Sequence, residues 1–179
     1  MEALKVIEKY YQKNTEVYGI LLNHSRSVAD KALAIARMHP EMSLDLVFIE
    51  EAAMLHDIGI IFCDAPKIDC HGSYRYICHG YLGAELLRKE GLPHHALVCE
   101  RHTGTGITLA MIDEKKLPLP RRDLAPVTLE EQVICFADKF FSKTKPGREK
   151  RIDKIQESLR KHGEDAVLCF NNWRKLFLK

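Results

Sequence analysis

Residues 52–60 have the sequence AAMLHDIGI, and this stretch decides the predicted fold. An apolar helical run ends at His56 and Asp57, and Gly59 breaks it. Both polar side chains should therefore lie at a helix C-terminus and face the interior. An imidazole and a carboxylate buried side by side cost free energy unless something compensates them. A metal ion would do so directly, which directs attention to further ligands on neighbouring helices.

Two other polar residues lie on apolar helical faces. His24 precedes Val28 and Ala32 at intervals of four residues, which places it on the core face of its helix. Asp138 follows Ile134 by four residues, and a carboxylate on that buried face needs a cation or several hydrogen bonds. A metal site in a helical bundle draws its ligands from several helices, and the candidates here come from three: His24, His56, Asp57 and Asp138. Mixed nitrogen and oxygen ligands suit one or two divalent transition metals: Fe, Mn, Zn, Ni or Co.

The remainder of the chain predicts helices with little β structure. Apolar residues recur with helical spacing over 25–38, 46–55, 81–90, 94–101, 133–141, 148–161 and 164–177. Ser43 or Asp45 can cap the second of these, and Thr128 with Glu131 forms a capping box ahead of the fifth. Two long irregular segments, 59–78 and 103–127, interrupt the helices, and such segments tend to be functional. We therefore predict an all-α fold.

Composition narrows the class of protein. The 179 residues are 46% hydrophobic and 29% charged, which is typical of one soluble globular domain. The formal net charge of +2 argues against a general nucleic-acid binder. That charge is uneven, because Lys139 and the residues after it carry 12 basic against 5 acidic side chains.

The sequence also predicts a compartment. No stretch approaches the roughly 20 apolar residues that span a bilayer, and the N-terminus is a charged amphipathic segment unlike a signal peptide. The six cysteines form no C-x-x-C pair, so we expect reduced, mostly buried thiols. We therefore expect a cytoplasmic protein that has no membrane partner.

His24, His56-Asp57 with Ile58-Gly59, and Asp138 within the sequence FADK resemble the H…HD…D pattern of the HD-domain metal-dependent phosphohydrolases. The resemblance covers about residues 20–145, most of the chain. The segments 79–85 (HGYLGAE) and 101–104 (RHTG) are similar to the two additional histidine motifs of the dinuclear branch, which includes bacterial diadenosine tetraphosphate hydrolases.

The resemblance implies a single HD-type domain over 1–179, with a core over 20–145 and a C-terminal helical pair over 148–178. It also implies two metal sites that share Asp57. The first would be formed by His24, His56, Asp57 and Asp138, and the second by His79, His102 and Asp57. Two ions about 3.5–4 Å apart would clamp the attacking and leaving oxygens of a phosphoryl transfer. A site with one metal is the alternative.

Four residues are candidates for contact with a phosphate substrate. Lys139 directly follows the proposed ligand Asp138, and Arg121 and Arg122 lie in the second irregular segment, where a guanidinium fork would fit a phosphate. His71 could protonate a leaving group, because histidine titrates near neutral pH. In the family, however, the spacing from this histidine to the one at His79 is shorter than the eight residues found here.

These observations predict an enzyme that hydrolyses a phosphoester or phosphoanhydride bond of a small molecule, with a nucleotide as the expected substrate. Cyclic-nucleotide phosphodiesterase or 5′-nucleotidase action at the same site is an alternative. A non-catalytic nucleotide-sensing module is another, although the complete ligand set argues against it. A DNA-binding module is a further alternative. Its only support is the basic C-terminal part, which lacks a recognisable recognition helix. The sequence is compatible with a homodimer.

Overall fold

The computed structural model describes residues 3–178, and α-helices dominate it. The described residues form nine α-helices: α1 (Ala3–Tyr10), α2 (Glu16–Met38), α3 (Leu46–Leu55), α4 (His79–Lys89), α5 (Pro93–Arg101), α6 (Leu109–Glu114), α7 (Leu129–Asp138), α8 (Ile152–Arg160) and α9 (Glu164–Phe177). Four short 3₁₀ helices accompany them: Pro40–Met42, Ile58–Phe62, Pro66–Ile68 and Tyr76–Cys78. The all-α prediction is confirmed.

The first irregular segment contains the small amount of β structure. Strand β1 (Asp64–Ala65) pairs antiparallel with β2 (Cys70–His71), and Asp64 lies opposite His71. The second irregular segment contains α6, and it is closed by an antiparallel bridge between Ile107 and Leu124.

Local capping explains where the helices differ from the predicted boundaries. The first predicted helix begins at Glu16 instead of residue 25, because the Thr15 hydroxyl accepts a hydrogen bond from the Tyr18 N–H. His24 therefore lies well inside α2. Asp45, and not Ser43, caps α3 by accepting from the Phe48 N–H at 2.9 Å. Helix α7 ends at Asp138, three residues before the predicted end.

Most of the helices pack around one large apolar core, and Ile112 of α6 forms a second, smaller cluster with Ile107 and Leu124. Helix α2 packs against α3 and α7, and α4 packs against α5. Helix α9 covers α7, where the Phe136 ring lies 5.1 Å from that of Phe170 and 5.6 Å from that of Phe177. No helix of the described residues is long and apolar enough to cross a membrane.

A close contact between two glycines positions the turn that follows α3. A Cβ atom on Gly59 would lie 2.2 Å from the His79 carbonyl oxygen and 2.4 Å from the Gly83 nitrogen. These backbone atoms cannot yield to a side chain, so only glycine permits the approach. The contact brings the residues after α3 against the first turn of α4. Tyr11 fixes the same turn from the other side, since its hydroxyl donates to the Ile58 carbonyl at 2.7 Å.

Candidate metal centre

The predicted ligands come together from five helices. His24 lies within α2, His56 and Asp57 follow α3, and Asp138 is the last residue of α7. Ligand atoms of these four residues all lie within 4.8 Å of one another. The closest approaches are those of His24 Nε2 to Asp138 Oδ1 at 2.9 Å and of His56 Nε2 to Asp57 Oδ2 at 2.9 Å.

A second cluster shares Asp57. His79 begins α4, His102 follows α5, and ligand atoms of Asp57, His79 and His102 also lie within 4.8 Å of one another. The two Nε2 atoms are 3.3 and 3.4 Å from Asp57 Oδ1. Asp57 therefore faces the first cluster with Oδ2 and the second with Oδ1.

Helix ends orient three of the histidine rings. The Nδ1 atoms of His56, His79 and His102 lie 2.6, 2.7 and 2.7 Å from the carbonyl oxygens of the third residue before each. A carbonyl oxygen only accepts, so each Nδ1 carries a proton and donates it. In the neutral ring the Nε2 atom is then a lone-pair donor. The carbonyls left free at helix ends thus orient the three Nε2 atoms toward Asp57.

Several polar atoms of this cluster have no hydrogen-bond partner among the described residues. They include both ring nitrogens of His24, Nε2 of His56 and Oδ1 of Asp57, whereas Asp57 Oδ2 is paired with the Lys143 ammonium. Asp57 is 0% exposed. Buried polar groups are nearly always satisfied, and an unpaired one costs about 1–3 kcal/mol. The donor set fits a divalent metal ion, which would satisfy one nitrogen of each histidine and the carboxylate oxygens together.

Two lysines balance the two carboxylates of the centre. Lys143 Nζ lies 2.5 Å from Asp57 Oδ2, and Lys139 Nζ lies 2.9 Å from Asp138 Oδ2. Their side chains are only 14% and 10% exposed. Lys139 also donates to the His102 carbonyl at 3.1 Å. Both lysines make these contacts with the Oδ2 atoms of Asp57 and Asp138, and Asp57 Oδ1 faces His79 and His102.

The buried charges shift the pKa values of the centre in opposite directions. Burial alone would lower the pKa of His56, but Asp57 and Asp138 outweigh it and raise that pKa to about 9. Burial lowers the pKa of His102 to about 4, although Asp57 opposes the shift. Burial would raise the pKa of Asp57, yet His56 and Lys143 hold it well below its ordinary value.

A cavity of about 580 Å³ opens beside the first cluster. His24 and Asp138 line its inner end, together with Lys139, Lys143 and the Tyr76 ring. The Tyr76 ring also stacks on His79, with centroids 4.6 Å apart. A small molecule in this cavity can therefore reach both the predicted ligands and two ammonium groups.

The other predicted substrate contacts lie elsewhere. Arg121 makes a bidentate pair with Asp113, and Arg122 pairs at 2.9 Å with Glu100, which is buried. The His71 side chain is 69% exposed and lies 3.2 Å from Asp69. None of Arg121, Arg122 and His71 lines the cavity. Their catalytic or substrate-binding roles stay predictions, as does that of Lys139, which does line the cavity.

Sequence reasoning missed Lys143. It lies in the polar loop 139–151, and the hydrogen bond from the Lys150 N–H to the Phe140 carbonyl closes this loop at 2.7 Å. Helical periodicity gives no signal in a loop, and lysines are ordinarily solvated. Its position four residues after the end of the FADK motif was the one available hint.

Comparison with known proteins identifies the family. Residues 21–142 match the model of the HD domain. The chain belongs to the HD domain family, as the motifs predicted. It is 33% identical over 147 residues to an uncharacterized protein of Methanocaldococcus jannaschii, a match that covers 80% of this chain and 76% of that protein.

Two further relatives carry the name tRNA (cytidine(56)-2′-O)-methyltransferase. The protein of Thermoplasma volcanium is 32% identical over 149 residues, or 82% of this chain, and that of Picrophilus torridus is 30% identical over 131 residues, or 73% of this chain. The matches cover only 38% and 34% of those enzymes. This chain therefore spans little more than a third of their length.

A solved structure has a similar fold. The HD domain of the L. monocytogenes phosphodiesterase PgpH superposes with a TM-score of 0.56 at 20% identity, covering 93% of this chain and 85% of that chain. The complex of the same domain with cyclic-di-AMP gives a TM-score of 0.56 at 18% identity, covering 94% and 85%. At this identity the likeness concerns the fold.

Proposed function

We propose that this protein is a metal-dependent phosphohydrolase that cleaves a phosphoester or phosphoanhydride bond of a small molecule, with nucleotides as the substrate class. One observation carries the proposal: the Nε2 atoms of His79 and His102 face each other and Asp57 Oδ1 across 3.0–3.4 Å. Because both Nδ1 atoms donate to carbonyls, Nε2 is the ring atom of each histidine that remains to bind a metal. A divalent cation at this point would satisfy the two Nε2 atoms and the carboxylate oxygen together.

The proposed ligands divide as the two clusters do. His24, His56, Asp138 and Asp57 Oδ2 would hold one divalent ion, and His79, His102 and Asp57 Oδ1 would hold a second. When bound, such ions supply Lewis-acid polarisation of the phosphoryl group and a water that ionises near neutral pH. Asp57 is the residue on which both sites depend, because it contributes an oxygen to each.

Charge supports a phosphorylated substrate. Asp57 and Asp138 contribute two negative charges, and Lys139 and Lys143 contribute two positive charges that already balance them. Each divalent ion, when bound, would therefore add two positive charges that these carboxylates do not balance. A phosphate dianion complements that excess, and the buried setting strengthens the attraction.

The chain's own residues position the substrate. Lys139 and Lys143 offer ammonium hydrogens to phosphoryl oxygens at the inner end of the cavity. Tyr76 and Phe141 add aromatic surface to the same cavity, which suits a nucleobase. The solved complex of a similar HD fold with cyclic-di-AMP supports a nucleotide ligand. The match to the two tRNA methyltransferases covers only 38% and 34% of their length, so it does not support methyl transfer by this chain.

The test is a substrate screen with protein reconstituted with Mn²⁺, Fe²⁺, Co²⁺, Ni²⁺ or Zn²⁺. Nucleoside mono-, di- and triphosphates, dinucleoside polyphosphates and cyclic nucleotides are compared by released phosphate and by chromatography of the products. Turnover that needs added metal and disappears in Asp57→Asn supports the proposal. Asp64→Asn is the matched control, since Asp64 is an exposed carboxylate on β1.

The screen also separates the alternatives. Cleavage confined to cyclic nucleotides or to nucleoside monophosphates would assign phosphodiesterase or nucleotidase action to the same centre. Tight nucleotide binding without turnover under every metal would overturn the proposed hydrolysis in favour of a sensing module.

A further inference from the structure

The cavity extends well beyond the proposed metal ligands. His24 and Asp138 occupy its inner end, and its outer wall comes from loop 139–151 and helix α8. The HD domain match ends at residue 142, so the first residues of this loop belong to the match and the rest of the outer wall, including α8, lies beyond it.

Every fourth residue from 150 to 162 lines the outer wall: Lys150, Lys154, Ser158 and His162. We call these four residues the polar stripe. Lys154 and Ser158 lie four residues apart on one face of α8, Lys150 precedes that helix and His162 follows it. The buried apolar residues Ile155 and Leu159 line the same cavity and anchor α8 against it.

The outer wall carries positive charge with little to balance it. Lys150 donates to the Lys139 carbonyl at 3.3 Å, and none of the described carboxylates pairs with it. Lys154 pairs with Glu157, but both side chains are more than 60% exposed, and such pairs contribute little. Lys67 faces the cavity from the opposite side. Asp138, the one carboxylate that lines the cavity within residues 3–178, is already paired with Lys139.

This arrangement accounts for the uneven charge of the sequence. The excess of basic residues after Lys139 has no role at the metal centre beyond Lys139 and Lys143. Lys150 and Lys154 belong to that excess and lie in the same cavity as the proposed reaction centre. A ligand that reaches from the centre to the stripe needs negative charge at both ends.

We propose that the polar stripe, with Lys150 and Lys154 as its cations, binds a second, non-scissile phosphate group of the substrate. This inference rests on the proposed function, because it takes the scissile phosphate to lie at the metal centre. The preferred substrates then carry at least two phosphate groups, and phosphate monoesters occupy the centre alone. Ser158 and His162 supply hydrogen-bond donors to the same group.

The experiment compares two anions on Mn²⁺-loaded protein at constant ionic strength. Methylenediphosphonate carries two linked phosphonate groups and resists hydrolysis, and inorganic phosphate carries one group. Their dissociation constants are measured by calorimetry for wild type, Lys150→Met/Lys154→Met and the matched control Lys161→Met. Lys161 is an exposed lysine just after α8 that does not line the cavity.

We expect the double variant to weaken methylenediphosphonate binding at least tenfold, with phosphate and Mn²⁺ binding changed less than twofold. Lys161→Met should change the dissociation constants of methylenediphosphonate, phosphate and Mn²⁺ less than twofold. Ser158→Asp, which places a negative charge in the stripe, should weaken the diphosphonate selectively as well. Equal weakening of both anions, or an unchanged diphosphonate affinity, would overturn the inference.

Failure of the proposed function would appear differently. Selective, lysine-dependent binding of the diphosphonate without turnover of any phosphorylated compound would overturn hydrolysis and leave the phosphate subsite standing. A parallel titration with α,β-methyleneadenosine diphosphate distinguishes a nucleotide from a free diphosphate. A nucleotide ligand should bind more tightly than methylenediphosphonate and lose that advantage in Tyr76→Ala.

Discussion

The Nε2 atoms of His79 and His102 lie 3.0 Å apart, although 23 residues separate them along the chain. The contact depends on the pairing of α4 with α5 and on the glycine contact that holds the turn after α3 against α4. Each ring donates its Nδ1 proton to a carbonyl three residues earlier. The two Nε2 atoms are thereby oriented toward one oxygen of Asp57.

This pair predicts a change in metal stoichiometry. His102→Ala should remove one ion per chain and leave the first site with its ion, because His24, His56, Asp57 and Asp138 are untouched. Elemental analysis of protein purified without chelators measures the ratio. His71→Ala is the matched control, since it removes an exposed histidine. An unchanged ratio in His102→Ala would argue for a single ion in the first cluster.

Chelator-treated protein should be most stable near pH 6.5. The pKa of His56 is raised from 6.5 to about 9. Its contribution to the free energy of unfolding is therefore fully present below pH 6.5 and is lost as the pH rises toward 9. His102 has its pKa lowered from 6.5 to about 4, so stability is lost as the pH falls through that interval. Each shift corresponds to about 3 kcal/mol at most. The depressed pKa values of Asp57 and Asp138 add to the loss at lower pH.

Urea unfolding followed by circular dichroism between pH 5 and 9.5 measures this profile. A free energy of unfolding that rises steadily from pH 6.5 to 9 would contradict the assignment of the alkaline loss to His56.

The glycine contact predicts a large loss of stability. Gly59→Ala places a Cβ 2.2 Å from a backbone oxygen, so the turn and α4 must separate, at a cost of about 3 kcal/mol. Gly19→Ala is the matched control, because Gly19 lies in α2 with nothing within 4 Å of its added Cβ. That variant should gain up to about 1 kcal/mol from helix propensity. Equal stability of the two variants in urea would contradict the close approach.

Arg122 is expected to stabilise the fold and not to bind substrate. It pairs with buried Glu100, which Arg88 also contacts at 2.7 Å. Arg122→Met should lower the melting temperature by about 2–4 °C, corresponding to roughly 1 kcal/mol, with KM unchanged. Arg121→Met should change neither the melting temperature nor KM, because the ion pair of Arg121 with Asp113 is exposed. A rise in KM for Arg122→Met would restore the substrate role that the sequence suggested.

The sequence predicted the part of the site that depends on helical periodicity. His24 and Asp138 were found because apolar neighbours fixed the face on which each lies, and α2 and α7 keep those faces together. His79 and His102 required the resemblance, since a histidine at a helix end faces a cleft or solvent equally well. Their carbonyl contacts follow from tertiary packing.

The remaining features depend on contacts between distant segments. Arg122 looked available for a phosphate because its partner Glu100 is 22 residues away. Lys143 looked solvated because a loop has no periodicity from which its direction could be inferred. Loop closure at Phe140 and Lys150 turns it inward, where Asp57 raises its pKa against the effect of burial.

The metal content of Asp57→Asn tests the account most directly. Asp57 is shared by both clusters, so the substitution removes the one negative charge that both proposed sites share and replaces one carboxylate oxygen with an amide nitrogen. Protein purified without chelators should hold about one to two transition-metal ions per chain in wild type and in Asp64→Asn. Asp57→Asn should hold almost none and should lose phosphohydrolase activity while keeping its circular dichroism spectrum. Full metal content together with full activity in Asp57→Asn would contradict the proposed centre.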